Sequence, residues 1–226
     1  MQPAGAAADA ERLARASRRL LEHYPAENWW PSRSRFEVMV GAVLVQNTRW
    51  ANVHCAIASL RAQRLLRPEA LAAAGLSQLS EVIKPAGCQS VKAERLAHLA
   101  TGVVQAGGMR GLARQSSHAL RALLRGWHGV GEETADAILL YGFSRPVFIA
   151  DNYARRWLVR MGLFDAGSGV AAYARCRHYV EGHLGWNTGG YQALHAAIVL
   201  HGQQHCARQA RCEGCSLNEY CDFIKQ

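Results

Sequence analysis

The sequence predicts an all-α protein, because its apolar residues recur at the helical period and almost nowhere alternate as they do in strands. Hydrophobic residues make up 50% of the 226 residues, and alanine and leucine, which favour helix, are abundant among them. Glycine and serine interrupt the periodic segments, so the helices are expected to be joined by turns. The sequence shows no internal repeat and no low-complexity segment.

The first predicted helix carries Leu13, Leu20 and Leu21 on one face and ends near Tyr24. An aromatic loop that contains proline follows over residues 25–34. The next segment, residues 36–44, is apolar nearly all round, so this second helix should be central and buried.

Asn47 or Thr48 is expected to cap the third helix, which carries Val53, Ala56 and Leu60 on its apolar face. Gly107 and Gly108 should end a long later helix, and Ser116 or Ser117 should open the one after it. Further helices are predicted over residues 68–74, 76–84, 90–105, 118–125, 132–141, 151–161, 170–182 and 191–201.

The chain is basic: 26 lysines and arginines against 17 aspartates and glutamates give a net charge of +9. This excess favours a polyanionic partner, nucleic acid first, over a basic protein without one. The N-terminal segment has no apolar signal-peptide core, and the longest apolar run, residues 38–45, is too short to span a bilayer. No membrane partner is therefore expected. Cys55, Cys88 and Cys176 are interpreted as reduced core residues of a cytosolic protein.

Four further cysteines lie close together near the C-terminus with the spacing C-x5-C-x2-C-x5-C: Cys206, Cys212, Cys215 and Cys221. The residues between them are poor in apolar side chains, which indicates a segment that folds around a metal. Thiolates select soft metals, so the candidates are zinc and an iron–sulfur cluster. Zinc ribbons usually bring two C-x2-C pairs, and only one is present, which favours a [4Fe–4S] cluster.

Residues 124–135, LRGWHGVGEETA, are typical of two helices joined by a tight turn. Gly129 and Gly131 flank Val130, which should be buried between the helices and hold the turn. The turn leaves backbone N–H groups free at the start of a helix, an arrangement that binds phosphate without side-chain charge. This helix-hairpin-helix pattern predicts sequence-independent contact with a duplex.

The hairpin, Asp151 after it and the cysteine loop, in that order, resemble the endonuclease III branch of the helix-hairpin-helix DNA glycosylase superfamily. The resemblance runs from about Arg35 to Cys221 and is carried by FEVMVGAVLVQNT, IKPAGCQSVKAERL, GVGEETADAILL, PVFIADNYARR and ALHAAIVLHGQQHC. It implies a six-helix barrel with the hairpin over residues 28–145. It also implies an iron–sulfur lobe of residues 1–27 and 146–226, and a DNA-binding cleft between the two lobes.

The resemblance also implies a partner and a setting. Double-stranded DNA with a damaged base would be the partner. The protein would be a monomer, cytoplasmic and associated with the nucleoid.

Asp151 matches the family's catalytic aspartate, whose carboxylate can stabilise an oxocarbenium-like transition state and help to direct water. By local sequence alone it could equally be the N-cap of the next helix. Glu133 stands where bifunctional family members carry a lysine that forms a Schiff base. Lys92 is the nearest alternative amine, but its place on a predicted helix face indicates a solvated surface residue. The chain is therefore predicted to be a monofunctional glycosylase.

The base pocket is predicted from aromatic residues. Trp29, Trp30 and Pro31 precede the buried helix, and Trp50 begins the next, an arrangement that resembles the pocket of 3-methyladenine DNA glycosylases. A cationic, N-alkylated purine would be favoured there by cation–π attraction. The alternative is that these are ordinary core and surface aromatics.

Two further segments match positions that contact DNA in the family. Gln46 matches the residue that fills the gap left by the flipped nucleotide, although a polar helix end is the alternative. Cys88 and Gln89 match the loop that wedges into the opposite strand, where family members more often carry a bulkier group than cysteine. His201 before the cysteine loop could be either a helix-end residue or a neighbour of the cluster.

The sequence thus predicts a glycosylase for alkylated purines, chiefly 3-methyladenine. One alternative keeps the class but changes the base to mismatched thymine or uracil, or to an oxidised pyrimidine. Another is a non-catalytic DNA-binding module with structural zinc.

Overall fold

The computed structural model describes residues 4–25, 29–165 and 171–225, with the side chains of residues 4–6 excepted. Within these ranges the chain is helical and contains no strand, which confirms the predicted all-α class. The helices are α1 Ala4–His23, α2 Arg35–Leu44, α3 Trp50–Ala62, α4 Pro68–Ala73, α5 Leu76–Val82, α6 Gln89–Gln105, α7 Gly108–Ala113, α8 Ser117–Arg125, α9 Glu132–Ala137, α10 Asn152–Arg160, α11 Ala171–Leu184 and α12 Thr188–Gln204.

Shorter helical turns complete the path. A 3₁₀ turn precedes α6, a π-helical turn continues α9, and two 3₁₀ turns follow in the cysteine loop: Lys84–Ala86, Ile138–Gly142, Asn218–Tyr220 and Asp222–Lys225. None of the described helices is both long enough and apolar enough to cross a membrane.

Side-chain caps begin several helices where the sequence carries serine, aspartate or asparagine. Ser34 accepts a hydrogen bond from the Glu37 amide of α2, and Ser116 accepts one from the Ala119 amide of α8, each at 3.2 Å. Asn187 caps α12 in the same way. These bonds satisfy amides that would otherwise lack a partner in the first helical turn.

Of three local predictions, two were wrong and one was confirmed. The cap of α3 is Arg49, without a side-chain hydrogen bond, because Asn47 takes a left-handed conformation (φ 54°) and turns the chain before the helix starts. The long helix α6 ends at Gln105, just before Gly107 and Gly108, as predicted. Both glycines adopt positive φ, and α7 begins at Gly108. Cys55 and Cys88 are exposed, and only Cys176 of the three isolated cysteines is buried.

Two compact units make up the chain: the cysteine unit, Met1–Trp29 with Pro146–Gln226, and the hairpin unit, Trp30–Arg145. The predicted lobe boundary at residues 27–28, and the predicted start of α11 at residue 170, lie outside the described residues, as does part of the loop over residues 25–34.

The hairpin unit is built around α2, whose residues from Phe36 to Leu44 are all buried, as its apolar sequence predicts. Helices α3, α6 and α9 pack against it, and α4 and α5 pack against α6. Burial of this helix on every side leaves its C-terminal end, where Gln46 follows, surrounded by other elements of the unit.

The cysteine unit consists of α1, α10, α11 and α12 with the C-terminal loop. Helix α12 packs against both α1 and α10. The large side chains Trp157 and Phe148 are fully buried in its core. Arg12 of α1 ties down the last turn of the loop, through a 2.7 Å hydrogen bond to the Tyr220 carbonyl and a 2.8 Å ion pair with Asp222.

Candidate active site

Asp151 lies at the beginning of α10, in the cysteine unit, and is buried. Its Oδ1 accepts a 2.7 Å hydrogen bond from the Ala154 amide, so the residue is the N-cap of the helix. Capping fixes the orientation of the carboxyl group and leaves Oδ2 outside that bond. The capping and catalytic interpretations of Asp151 are therefore compatible.

Burial dominates the electrostatics of this carboxyl group. It raises the pKa of Asp151 from 3.8 to about 6, although the Ala154 and Tyr153 amides and two nearby arginines act in the opposite direction. A carboxyl group with a pKa of about 6 is mostly ionised at neutral pH and is poorly solvated. These are properties that catalytic carboxylates often have.

His195 of α12 is a neighbour that the sequence did not point to. Its Nε2 lies 3.9 Å from Oδ2 of Asp151, and burial lowers its pKa to about 4, so it is neutral at pH 7. A neutral imidazole beside the carboxylate leaves the negative charge on Asp151 uncompensated on that side. Only the packing of α12 against α10 reveals this pair, since the two residues are far apart in the chain.

Glu133 and Lys92 both belong to the hairpin unit. Glu133 is exposed in the first turn of α9. The interpretation of Lys92 as a solvated surface residue was wrong: it is 2% exposed, and its Nζ donates to the Leu44 and Ala86 carbonyls, each at 2.8 Å. Burial lowers its pKa. The amine thus links the last residue of α2 to the 3₁₀ turn before α6, which is a structural role.

Trp30 and Trp50 come together in the hairpin unit. Their rings meet edge to face with centroids 4.9 Å apart, and Tyr141 adds a third ring 4.8 Å from Trp30. Trp30 also lies against Gly41 of α2, where an added Cβ would come within 3.4 Å of its indole nitrogen. Tyr141 was missed, because the sequence around it reads only as the end of a buried helix.

The other predicted pocket residues lie at the surface of the loop before α2. Pro31 is exposed and Trp29 is half-buried. Trp29 belongs to the cysteine unit, whereas the Trp30–Trp50–Tyr141 cluster lies in the hairpin unit.

The hairpin is held against α6. Gly129 has φ of +81°, and a Cβ there would come within 2.3 Å of Cγ of Arg95. Val130 is buried, as predicted, and Gly131 is exposed with an extended backbone. Gly102 of α6 similarly makes room for Trp127, whose ring an added Cβ would meet at 2.5 Å.

Gln46 connects α2 to this hairpin. Its Nε2 donates to the Gly129 carbonyl at 3.0 Å and to Oγ1 of Thr134 at 2.9 Å, and its Oε1 accepts from Arg95. The amide is therefore positioned by three elements rather than being a simple polar helix end.

Cys88 is the N-cap of α6, and Gln89 is the first residue of that helix. Cys88 is exposed and adopts a left-handed conformation with φ 45° and ψ 40°. Gln89 is half-buried. A non-glycine residue in this region indicates backbone strain of the kind that often occurs at functional turns.

The four C-terminal cysteines surround one cavity, named here the cysteine cavity, which apolar residues such as Met161 and Leu217 also line. Arg160 donates a hydrogen bond to Sγ of Cys206 at 3.3 Å. Among the described side chains, no group of three or more His, Cys, Asp or Glu is arranged to hold a single metal ion.

The donor set fits an iron–sulfur cluster. Burial and the neighbouring thiols raise the pKa of Cys215 and of Cys221. Four thiolates in one apolar cavity are unfavourable unless a metal centre offsets their charge. Trp157 and His201 line this cavity, and the buried atoms Nε1 of Trp157 and Nδ1 of His201 have no partner among the described residues. Their lack of partners also fits a bound group that accepts hydrogen bonds.

A comparison of the sequence with known protein families agrees with the helical hairpin and the fold. Residues 40–177 match the model of the HhH-GPD superfamily of base excision DNA repair proteins, which is more than half of the chain. The chain belongs to this superfamily and is a DNA glycosylase.

Individual relatives support this assignment. The "Putative DNA repair glycosylase MJ1434" of Methanocaldococcus jannaschii is 37% identical over 205 residues, covering 89% of this chain and 92% of that protein. The structure of the H. pylori 3-methyladenine DNA glycosylase MagIII bound to 1,N6-ethenoadenine is similar, with a TM-score of 0.71 and 26% identity. The similarity covers 87% of this chain and 97% of the MagIII chain. A non-covalent endonuclease III–DNA complex gives a TM-score of 0.78 at 20% identity over 96% of each chain, which shows the fold.

Proposed function

We propose that this DNA glycosylase is monofunctional and removes alkylated purines, chiefly 3-methyladenine, by hydrolysing the N-glycosidic bond to leave an abasic site. The observation that carries the proposal is Asp151, a buried carboxyl group fixed by its helix cap, with a pKa raised to about 6. It is ionised at neutral pH, and its negative charge is weakly solvated. These are the requirements for stabilising a cationic sugar.

The proposed hydrolysis depends on the Asp151 carboxylate. As the bond between sugar and base breaks, positive charge develops on the sugar, and the Asp151 carboxylate stabilises that charge. Water then adds to the anomeric carbon and loses a proton. Because a poorly solvated carboxylate interacts strongly with a nearby cation, burial supports catalysis at the same time as it raises the pKa.

We expect no strand cleavage, because neither residue 133 nor Lys92 can supply a free amine at the sugar. Schiff-base chemistry requires a free amine at the sugar, and residue 133 is a glutamate. The buried amine of Lys92 is occupied by the Leu44 and Ala86 carbonyls. Neither residue can form the covalent intermediate that leads to lyase activity.

The substrate assignment is supported by the Trp30–Trp50–Tyr141 cluster and by the similarity to MagIII. An alkylated purine carries positive charge, which aromatic faces attract, and its glycosidic bond is already weakened. An extruded base would therefore be selected by stacking and charge rather than by many hydrogen bonds. Gln46, Cys88 and Gln89 are proposed to contact the DNA around the extruded nucleotide.

We also propose that Cys206, Cys212, Cys215 and Cys221 hold a [4Fe–4S] cluster. When bound, the cluster supplies the charge and the links that fold the C-terminal loop. Thiolates in a cavity with apolar walls, and an arginine that donates to one of them, are the groups this cofactor requires.

A base-excision panel tests class and substrate together. Duplexes that carry 3-methyladenine, 1,N6-ethenoadenine, mismatched thymine, uracil or an oxidised pyrimidine would be assayed for released base, with alkali added to reveal abasic sites. We expect release from the alkylated duplex and none with Asp151→Asn, while that variant still binds DNA. Preferential release of thymine, uracil or an oxidised pyrimidine would contradict the substrate assignment.

The same panel tests the monofunctional mechanism. Borohydride should trap no protein–DNA adduct, and strands should remain intact until alkali is added. Strand cleavage without alkali would overturn the interpretation of Glu133. A protein that binds zinc but no iron, and that releases no base, would indicate a DNA-binding module.

A further inference from the structure

We propose that Trp157 and His201 donate hydrogen bonds to the iron–sulfur cluster and, together with Arg160, raise its reduction potential. This inference rests on the proposed [4Fe–4S] cofactor. It assigns a role to side chains that belong neither to the thiol ligands nor to the catalytic carboxylate.

The first observation is that two polar atoms remain without partners in one place. Trp157 and His201 are each 2% exposed, and both line the cysteine cavity. Nε1 of Trp157 and Nδ1 of His201 have no hydrogen-bond partner among the described residues. A buried polar atom without a hydrogen-bond partner is unfavourable, so two such atoms on residues that line one cavity indicate a bound group that pairs with them.

The second observation concerns the chemistry of the acceptor. The indole nitrogen can only donate, and thiolate or sulfide sulfur can only accept. A proton on Nδ1 of His201 would complete the same pattern. His201 is also well fixed, because its carbonyl accepts the amides of His205 and Cys206 at 2.8 and 2.9 Å where α12 ends. The backbone of His201 is therefore tied directly to that of Cys206, the first proposed ligand.

Arg160 provides the third donor. In addition to Sγ of Cys206 at 3.3 Å, its guanidinium group donates to the Ala207 carbonyl at 2.8 Å and the Arg208 carbonyl at 3.0 Å. The ring of Phe223 lies 4.8 Å from its Cζ. These contacts hold the guanidinium against the sulfur of Cys206, and Arg160 lines the same cavity as Trp157 and His201.

The consequence is electrostatic. Reduction adds negative charge to the cluster, and N–H donors stabilise the more negative state more strongly than the oxidised one. Removing a donor should therefore lower the reduction potential. A purely structural side chain would change cluster stability without a consistent shift in this direction.

The experiment uses the holoprotein and the variant Trp157→Phe, which keeps a buried aromatic ring but removes the N–H group. Voltammetry on the wild type and the variant should show a lower potential for the variant, with iron and acid-labile sulfide content unchanged. Tyr191→Phe is the matched control, because Tyr191 is buried in the same unit and does not line the cysteine cavity. Its potential should equal that of the wild type.

If Trp157→Phe does not fold, His201→Phe tests the same inference at the second donor. Wild-type potentials in these variants, or an equal shift in Tyr191→Phe, would overturn the inference while leaving the cofactor in place. Wild-type protein without iron and sulfide would instead overturn the proposed cofactor, so the two failures are distinguishable.

Discussion

Asp151 is both the cap of a helix and a buried charge. The cap orients the carboxyl group, whereas burial makes its ionised form unfavourable and raises its pKa to about 6. Neutral His195 at 3.9 Å does not compensate the charge. The proposed catalytic role and the burial therefore act in opposite directions: the charge that would stabilise a cationic sugar destabilises the folded protein.

The pH dependence of excision should report this pKa. Since the proposed mechanism uses the ionised carboxylate, the single-turnover rate should rise with pH through about 6 and level off near neutrality. Rates on an alkylated duplex, corrected for spontaneous base loss, would give the profile. A rate that is flat or falls over this range would exclude Asp151 as the ionised catalytic group.

The stability of the wild type should fall over the pH range in which the excision rate rises, and Asp151→Asn should lack this dependence. Because the folded-state pKa lies above the ordinary value of 3.8, folding favours the protonated form, and this benefit is lost as pH rises through about 6. Above that pH the variant should be more stable than the wild type by about 2–3 kcal/mol. Thermal midpoints should converge below pH 3.8. A variant that is less stable at pH 8 would show that the charged cap outweighs the burial.

At the scale of elements, the hairpin is positioned by side chains from other helices. Arg95 of α6 lies against Gly129 and also donates to Gln46, which in turn holds the Gly129 carbonyl. The two hairpin glycines thus have different roles. Gly129 meets a neighbour in a left-handed conformation, whereas Gly131 has φ −82° and no atom within 4 Å of an added Cβ.

Gly129→Ala should therefore destabilise the protein, by about 1–2 kcal/mol from the backbone conformation alone and more if Arg95 cannot move. Gly131→Ala is the matched comparison and should leave the free energy of unfolding nearly unchanged. Denaturant unfolding of both variants would test this. Equal destabilisation of the two would show that Arg95 does not define the environment of the hairpin.

At the scale of the whole molecule, the net charge of +9 should make binding to DNA strongly dependent on salt. The logarithm of the binding constant should fall linearly with the logarithm of salt concentration, by about 0.9 for each phosphate neutralised. Damaged and undamaged duplexes should give similar slopes, because hairpin contacts carry no sequence information. Fluorescence anisotropy titrations would measure the slopes. A binding constant independent of salt would argue against phosphate contact by this basic chain.

The all-α class, most helix positions and the grouping of the cysteines could be predicted from the sequence, because helical period, caps and close spacing act over a few residues. Ser116 and Asp151 cap helices as short-range patterns predict. The same reasoning failed at Lys92, where helical position indicated solvent and the fold provides two buried carbonyls instead.

The sequence could not predict which distant side chains meet, because those contacts form only when separate helices pack. Gln46 and the Gly129 carbonyl are 83 residues apart, and neither has a local pattern that indicates the other. The contacts of Trp30 with Tyr141 and of Asp151 with His195 likewise arise where separate helices pack. Burial, pKa and hydrogen-bond partners depend on that packing, because desolvation and donor geometry are properties of the assembled core rather than of neighbouring residues in the chain.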